Sequence, residues 1–240
     1  MAQVIITVDI ETTGLDLAMD DPVQIAAIGH LYRGGESTSP RVLMNSLCNP
    51  VAPIGEEALE IHKIGYDMVR FAPSPKQVVQ SLEMLLKQAQ VDGEVILVSY
   101  NGEQFDLPMM SRMGKTLHDY PHIDVYDLAL RHLSKEGHGR KLTEVYPSYV
   151  GGSDSDAHDA AADCLMTAEI LTKYCDETGK SPLEIHSELQ VPTPYEFFPW
   201  GKHEGKPINK VPKGYVKWCQ ENFESVSRDL DATFKAILGE

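Results

Sequence analysis

The chain has 240 residues, of which 42% are apolar and 24% charged, with a formal net charge of −15 at pH 7. This is enough chain for one good core and a small appended module. No apolar run approaches the about 18 residues of a spanning helix, the N-terminus lacks a leader-like block, and bulk charge opposes tight non-specific binding to nucleic acid. The expected setting is therefore cytoplasmic, with no membrane contact.

Cys48, Cys164, Cys175 and Cys219 are scattered, with no C-x-x-C pair. That pattern fits free thiols in a reducing compartment and lacks the clustering of structural zinc. The charge is uneven. Residues 195–240 hold seven basic and seven acidic residues, so residues 1–194 carry the whole deficit. Between Trp200 and Trp218, five lysines stand against one acid, Glu204.

In chain order, Val4–Val8 is an apolar, β-branched run that reads as a buried strand. Pro22–Tyr32 and Arg41–Cys48 read as second and third strands, joined by the turn signals Gly34-Gly35 and Ser37–Pro40. Gly55–His62 reads as a short helix. Ser74–Gln90 is longer, with Pro75 at its start and Val78, Val79, Leu82, Leu85 and Leu86 at helical spacing. Glu94–Ser99 is a compact strand, followed by a helical pattern from Gln104 to Met113. His122–Tyr126 is a fifth strand, Asp127–Ser134 a helix, Ser134–Lys141 an exposed loop, and Ala157–Thr178 a long helix. Three antiparallel strands, then strands alternating with helices, predict an α/β fold with a mixed five-stranded sheet flanked by helices. The proline-punctuated run around Leu189–Pro199 reads as a connection. The expected division is 1–182, a linker 183–199, and a module 200–240 with two short helices.

The chemistry concentrates at three places. Asp9 and Glu11 follow the first strand, two residues apart, so they project from the same face. Two such anions repel unless a cation or a proton lies between them. Thr12-Thr13-Gly14 then offers a turn with accessible backbone N–H groups. Asp106, in Asn101-Gly-Glu-Gln-Phe-Asp106, falls just after the fourth strand, where ligands of open α/β sheets gather. A capping Asp would sit there as readily. His158 and Asp163 are five residues apart and differ by about 140° around a helix. His158 therefore belongs to the loop before the helix and Asp163 to its first turns. Asp154 and Asp156 lack the glycine and glutamate spacing of a calcium loop.

Taken together, Asp9-Ile-Glu-Thr-Thr-Gly-Leu15, Asn101–Asp106 and His158-Asp-Ala-Ala-Ala-Asp163 resemble the three motifs of the DEDDh 3′→5′ exonucleases. These form a DnaQ-like superfamily with a ribonuclease H-like fold that includes the proofreading subunits of bacterial replicases. The resemblance spans about residues 3–175. It implies two Mg²⁺ or Mn²⁺ ions held by Asp9, Glu11 and Asp163, with Asp106 completing the site, and His158 as general base. It further implies that Thr12, Thr13 and Gly14 contact the terminal nucleotide and that Leu15 wedges against its base. Tyr100 and Asn101 would add a nucleotide contact, although Tyr100 stands where many relatives have histidine. Gln24 stands where many have glutamate, outside the metal-site acids.

Residues 200–218 resemble the small G-K-x-x-G-K…P…Y-x-x-W module that follows the nuclease domain of exodeoxyribonuclease X-like proteins. Lys202, Lys206 and Lys210 then read as a nucleic-acid grip, and Trp218 as module core. The expected function is metal-dependent release of nucleoside 5′-monophosphates from 3′ ends, of DNA rather than RNA. An exoribonuclease, a polymerase-associated proofreading subunit and a non-catalytic end-binding module are the alternatives.

Overall fold

The computed structural model describes residues 2–114, 117–133, 140–152, 159–223 and 226–239. The strands are β1 (Gln3–Thr12), β2 (Pro22–Arg33), the two-residue β3 (Glu36–Ser37), β4 (Arg41–Leu47), β5 (Glu94–Ser99) and β6 (His122–Asp124). Leaving aside β3, five strands run in the order β4-β2-β1-β5-β6. β4 and β2, and β2 and β1, pair antiparallel; β1 with β5 and β5 with β6 pair parallel. This is the mixed α/β sheet expected from three consecutive strands followed by strand–helix alternation.

The helices are α1 (Glu56–His62), α2 (Tyr66–Val69), α3 (Pro75–Ala89), α4 (Asp106–Ser111), α5 (Val125–Leu128), α6 (Leu142–Tyr149), α7 (Ala160–Thr178), α8 (Pro182–Leu189), α9 (Lys213–Asn222) and α10 (Arg228–Leu238). The alternation of β1 decides which helices cover which face. Val4, Ile6, Val8 and Ile10 pack with Val78, Val79, Leu82 and Leu86 of α3. Ile5 packs on the opposite face with Ile170, Leu171 and Tyr174 of α7 and Ile185 and Leu189 of α8. Asp9 and Glu11 follow the parity of Ile5, so they emerge on the α7 side. Small residues let α7 come close there: Ala26 of β2 packs with Ala160 and Cys164.

Three elements differ locally from the sequence expectations. The helix expected over Asp127–Ser134 is the short α5 followed by a π-turn, Ala129–Leu133. Helix α7 starts at Ala160, because Asp159 caps it by accepting from the N–H groups of Ala161 and Ala162. Residues 182–189, at the start of the expected linker, form α8, with Ser181 and Glu184 closing a capping box. The loop expected over Ser134–Lys141 and the glycine-flanked loop before α7 lie largely outside the described residues. Among the described residues, no helix is long and apolar enough to cross a membrane.

Residues 195–239 build their own core from Phe198, Val211, Val216, Cys219 and Phe234, which closes on Leu130 of the larger unit. A buried ion pair fixes this junction. Arg131 donates from Nε and Nη2 to the two carboxylate oxygens of Asp229, at 2.6 and 2.7 Å. The same guanidinium donates to the carbonyls of Glu188 and Leu189 at the end of α8. A bidentate pair with every remaining donor used is the form in which a buried charge is tolerated.

Candidate active site

Asp9, Glu11 and Asp163 meet where the C-terminal end of β1 faces the first turns of α7. One carboxylate oxygen from each lies within 4.8 Å of the others. Asp106 joins them from the first turn of α4, buried, with Oδ1 accepting the backbone N–H of Ile10 at 3.1 Å. The reason lies in the sheet: the β1–β5 ladder ends at Thr7↔Val98, so β5 no longer supplies an acceptor at Ile10. The side chain of Asp106 fills that place and thereby reaches the β1 carboxylates.

The electrostatics are those of carboxylates crowded together in a buried place. Burial, then the charges of Asp106, Asp163 and Glu11, push Asp9 well above the usual carboxylate range. Burial and the charges of Asp163 and Asp106 push Glu11 up to about 8. Asp106 is raised to about 7 by burial, with the Asp163 charge adding and the Ile10 N–H opposing. An all-oxygen donor set that repels itself fits a hard divalent cation. Asp9, Glu11 and Asp163 could hold one directly, with Asp106 beside them.

Two residues outside the expected set hold this arrangement in place. The buried Asp124, at the end of β6, accepts N–H groups from Asn101 (2.7 Å), Glu103 (3.1 Å) and Tyr126 (3.0 Å). It therefore clamps the turn that leads to Asp106. Asn101 takes a left-handed φ of 61° there. At Gly102 a Cβ would fall 2.4 Å from the Ser99 hydroxyl, so only glycine lets the turn press on β5. The second residue is Gln24, buried on β2 opposite Glu11. Its amide nitrogen donates to Asn45 (2.9 Å) and to Asp159 (3.0 Å), while its oxygen accepts the Ala160 N–H (3.3 Å). Gln24 thus ties the start of α7, and with it Asp163, to the sheet. A two-residue period marks Gln24 as facing α7, but its partners are more than a hundred residues away in sequence.

The remaining expected residues are placed as follows. Thr12 and Thr13 are buried, and their hydroxyls turn inward, Thr12 to the Gly14 carbonyl and Thr13 to Asp20. Gly14 packs on Asp20, and Leu15 stands 82% exposed at the rim. Arg112 ties down the following loop through the carbonyls of Ala18 and Asp20. Tyr100 donates its hydroxyl to the Arg140 carbonyl at 2.5 Å and packs edge-on against Tyr126. Phe105 packs against the α3 core. Lys202, Lys206 and Lys210 are exposed on the C-terminal module, away from the four acids in sequence. His158 lies outside the described residues, immediately before the cap of α7.

Comparison with known proteins gives a consistent family. An exonuclease family model, RNase_T, matches residues 6–171. Exodeoxyribonuclease 10 of Escherichia coli (strain K12) is 27% identical over 238 residues, covering 96% of this chain and 97% of that protein. Among solved structures, exonuclease X in complex with 5′-overhanging duplex DNA superposes with a TM-score of 0.57 at 23% identity, covering 77% of this chain and 99% of that one. E. coli exonuclease I with a dA16 oligonucleotide gives a TM-score of 0.59 at 19% identity, over 79% and 43% of the two chains. A family match over most of the chain, on a sheet that brings four acids to one edge, identifies the protein as a member of the DnaQ-like 3′→5′ exonucleases, a hydrolase of nucleic acids.

Proposed function

We propose that this exonuclease is a 3′→5′ exodeoxyribonuclease that releases nucleoside 5′-monophosphates. The observation that carries the reading is the meeting of Asp9, Glu11 and Asp163 within 4.8 Å, with Asp106 anchored beside them. Asp9, Glu11 and Asp163 would hold Mg²⁺ or Mn²⁺, two ions in the full site, with Asp106 completing it directly or through water. When bound, such cations neutralise phosphodiester charge and make a water more acidic. His158 takes the proton of the attacking water, for which an imidazole titrating near neutrality is suited. Water oxygen bonds to the terminal phosphorus, and the bond from phosphorus to the 3′-oxygen of the penultimate nucleotide breaks. A new 3′-hydroxyl and a 5′-monophosphate result. Thr12, Thr13 and Gly14 would contact the terminal nucleotide, with Leu15 at the rim against its base. The likeness to Exodeoxyribonuclease 10 over nearly the whole chain supports DNA as substrate.

The test is a panel of 5′-labelled and 3′-labelled DNA and RNA strands, with Mg²⁺, Mn²⁺ or EDTA. The 3′ label should leave first, as a mononucleotide, from DNA and only with metal. Faster release from RNA overturns the choice of substrate; release in EDTA overturns the metal assignment. His158→Ala should retain Mn²⁺ binding by calorimetry and lose roughly 10²- to 10⁴-fold in rate. A variant with unaltered turnover would remove His158 from the mechanism.

A further inference from the structure

We propose that the aromatic run of residues 200–223, which reaches solvent at Trp218 and Phe223, and the exposed lysines beside it form a second contact for the substrate strand, on which bases of single-stranded DNA stack outside the active site. This rests on the exonuclease reading above and adds a binding surface to it.

Trp200 and Tyr215 are half-buried against the module core, while Trp218 and Phe223 reach solvent at its rim. Val216 and Cys219 of α9 are buried against Phe198 and Phe234. Tyr215 and Trp218 lie three residues apart on another side of the helix. They stack at 5.9 Å with an interplanar angle of 16°, and Trp218 is 50% exposed. Trp218 therefore departs from its expected place in the module core. From it the aromatic run continues edge-on to Phe223 at 6.0 Å and on to Trp200 at 5.0 Å. Trp218 and Phe223, at the solvent end of this run, offer ring surface to bases, whatever their sequence.

The cations lie beside the rings. Lys202 Nζ sits 4.8 Å from the centre of the Tyr215 ring, and Lys217 is exposed on α9. In a chain of net charge −15, this lysine-rich stretch is the dense basic segment of the sequence and so favours a polyanion.

A cavity of about 600 Å³ connects this face to the nuclease unit. Asn101 and Glu103, of the turn clamped by Asp124, line one side, and Trp200 and Phe223 line the other. The cavity thus runs from the turn that precedes Asp106 to the start of the aromatic run. The Arg131–Asp229 pair, itself part of the lining, holds the module against this cavity.

Trp200 and Trp218 are the two tryptophans of the chain, so intrinsic fluorescence reports on this face directly. The full-length protein in EDTA would be titrated with a dT20 oligonucleotide carrying a 5′-fluorescein, following anisotropy and tryptophan emission together. Emission should quench as the oligonucleotide binds. Trp218→Ala should weaken binding at least about fivefold. The double variant Lys202→Ala/Lys217→Ala should flatten the salt dependence by roughly 0.7 for each lysine removed. Circular dichroism melts check that both variants fold, and the lysine pair carries the test alone if Trp218→Ala does not. Binding by anisotropy without quenching, or with affinity and salt slope unaltered in the folded variants, overturns the proposal. Hydrolysis of thymidine 5′-(p-nitrophenyl phosphate) by the unmutated enzyme, a substrate too short to reach the module, tests the catalytic reading separately. Absence of that hydrolysis sinks the catalytic reading; its presence with no quenching sinks the second contact alone.

Discussion

At the scale of single residues, the site shows function held at the expense of stability. Asp9 and Glu11 are forced together by the strand period, and each is raised by burial and by its neighbours' charges. Above about pH 8, where Glu11 is ionised, replacing it by Gln removes one of the repelling charges. The metal-free protein should then melt higher, by roughly 2–4 °C for each kcal/mol relieved in a domain of this size. The same variant should lose most of the stabilisation that Mn²⁺ gives the parent protein. Scanning calorimetry with EDTA and with Mn²⁺ reads both effects; a lower metal-free melting temperature would contradict the repulsion argument. Asp124 has the opposite character, since it satisfies three N–H groups. Asp124→Ala orphans them in a buried place, at a cost of about 1–3 kcal/mol for each unsatisfied group. Because the turn it clamps leads to Asp106, turnover should fall together with stability in urea melts, while a structural role alone would leave turnover of the folded fraction intact.

At the scale of elements, the site depends on how α7 meets the sheet. Its start is fixed by Asp159 as cap and by Gln24 reaching across from β2. Gln24→Ala removes its two bonds to the helix start without touching the four acids. We expect turnover to drop about tenfold, the price of a misplacement near one ångström being larger still, with KM for the strand little altered. A change confined to KM would show that Gln24 does not position α7. The junction of α8, the π-turn and α10 is the other critical contact. Asp229→Ala leaves Arg131 buried without its carboxylate, which costs about 3–5 kcal/mol. Limited proteolysis should then release residues 195–240 ahead of the nuclease unit; simultaneous cleavage throughout would show one cooperative unit instead.

At the scale of the whole molecule, pH and metal act on stability together. Glu11, Asp106 and Asp124 have folded values of about 8, 7 and 7, above their ordinary values. A carboxyl raised in the folded state binds more protons there than in the unfolded chain, so stability falls as pH rises towards its folded value. The buried His30 and His122 are lowered to about 4 by loss of solvent, and they act in the opposite sense below about pH 6.5. Between about pH 6.5 and 8 the carboxyls act without that opposition. The melting temperature in EDTA should therefore decline across this window, and Mn²⁺ should restore it, more so at the higher pH. A flat profile in EDTA would show that the acids are not held against one another.

The likeness of three motifs to a nuclease family pointed to the four acids; the sequence by itself determined the sheet, the helices that flank it and the pairing of Asp9 with Glu11. Each depends on a period of two or 3.6 residues and on local chemistry, as in Val4–Val8, in the alternation that puts Asp9 and Glu11 on one face, and in the start of α3 behind Ser74-Pro75. Tertiary structure alone decided the support for those acids. Asp124 finds the Asn101 turn, Gln24 finds Asp159, and Arg131 finds Asp229, over separations of 23, 135 and 98 residues. A buried polar group must be satisfied by whatever the fold brings beside it, and no local period records that partner. For the same reason Trp218, an aromatic in a helix, read as core until the packing of Val216 and Cys219 left it facing solvent.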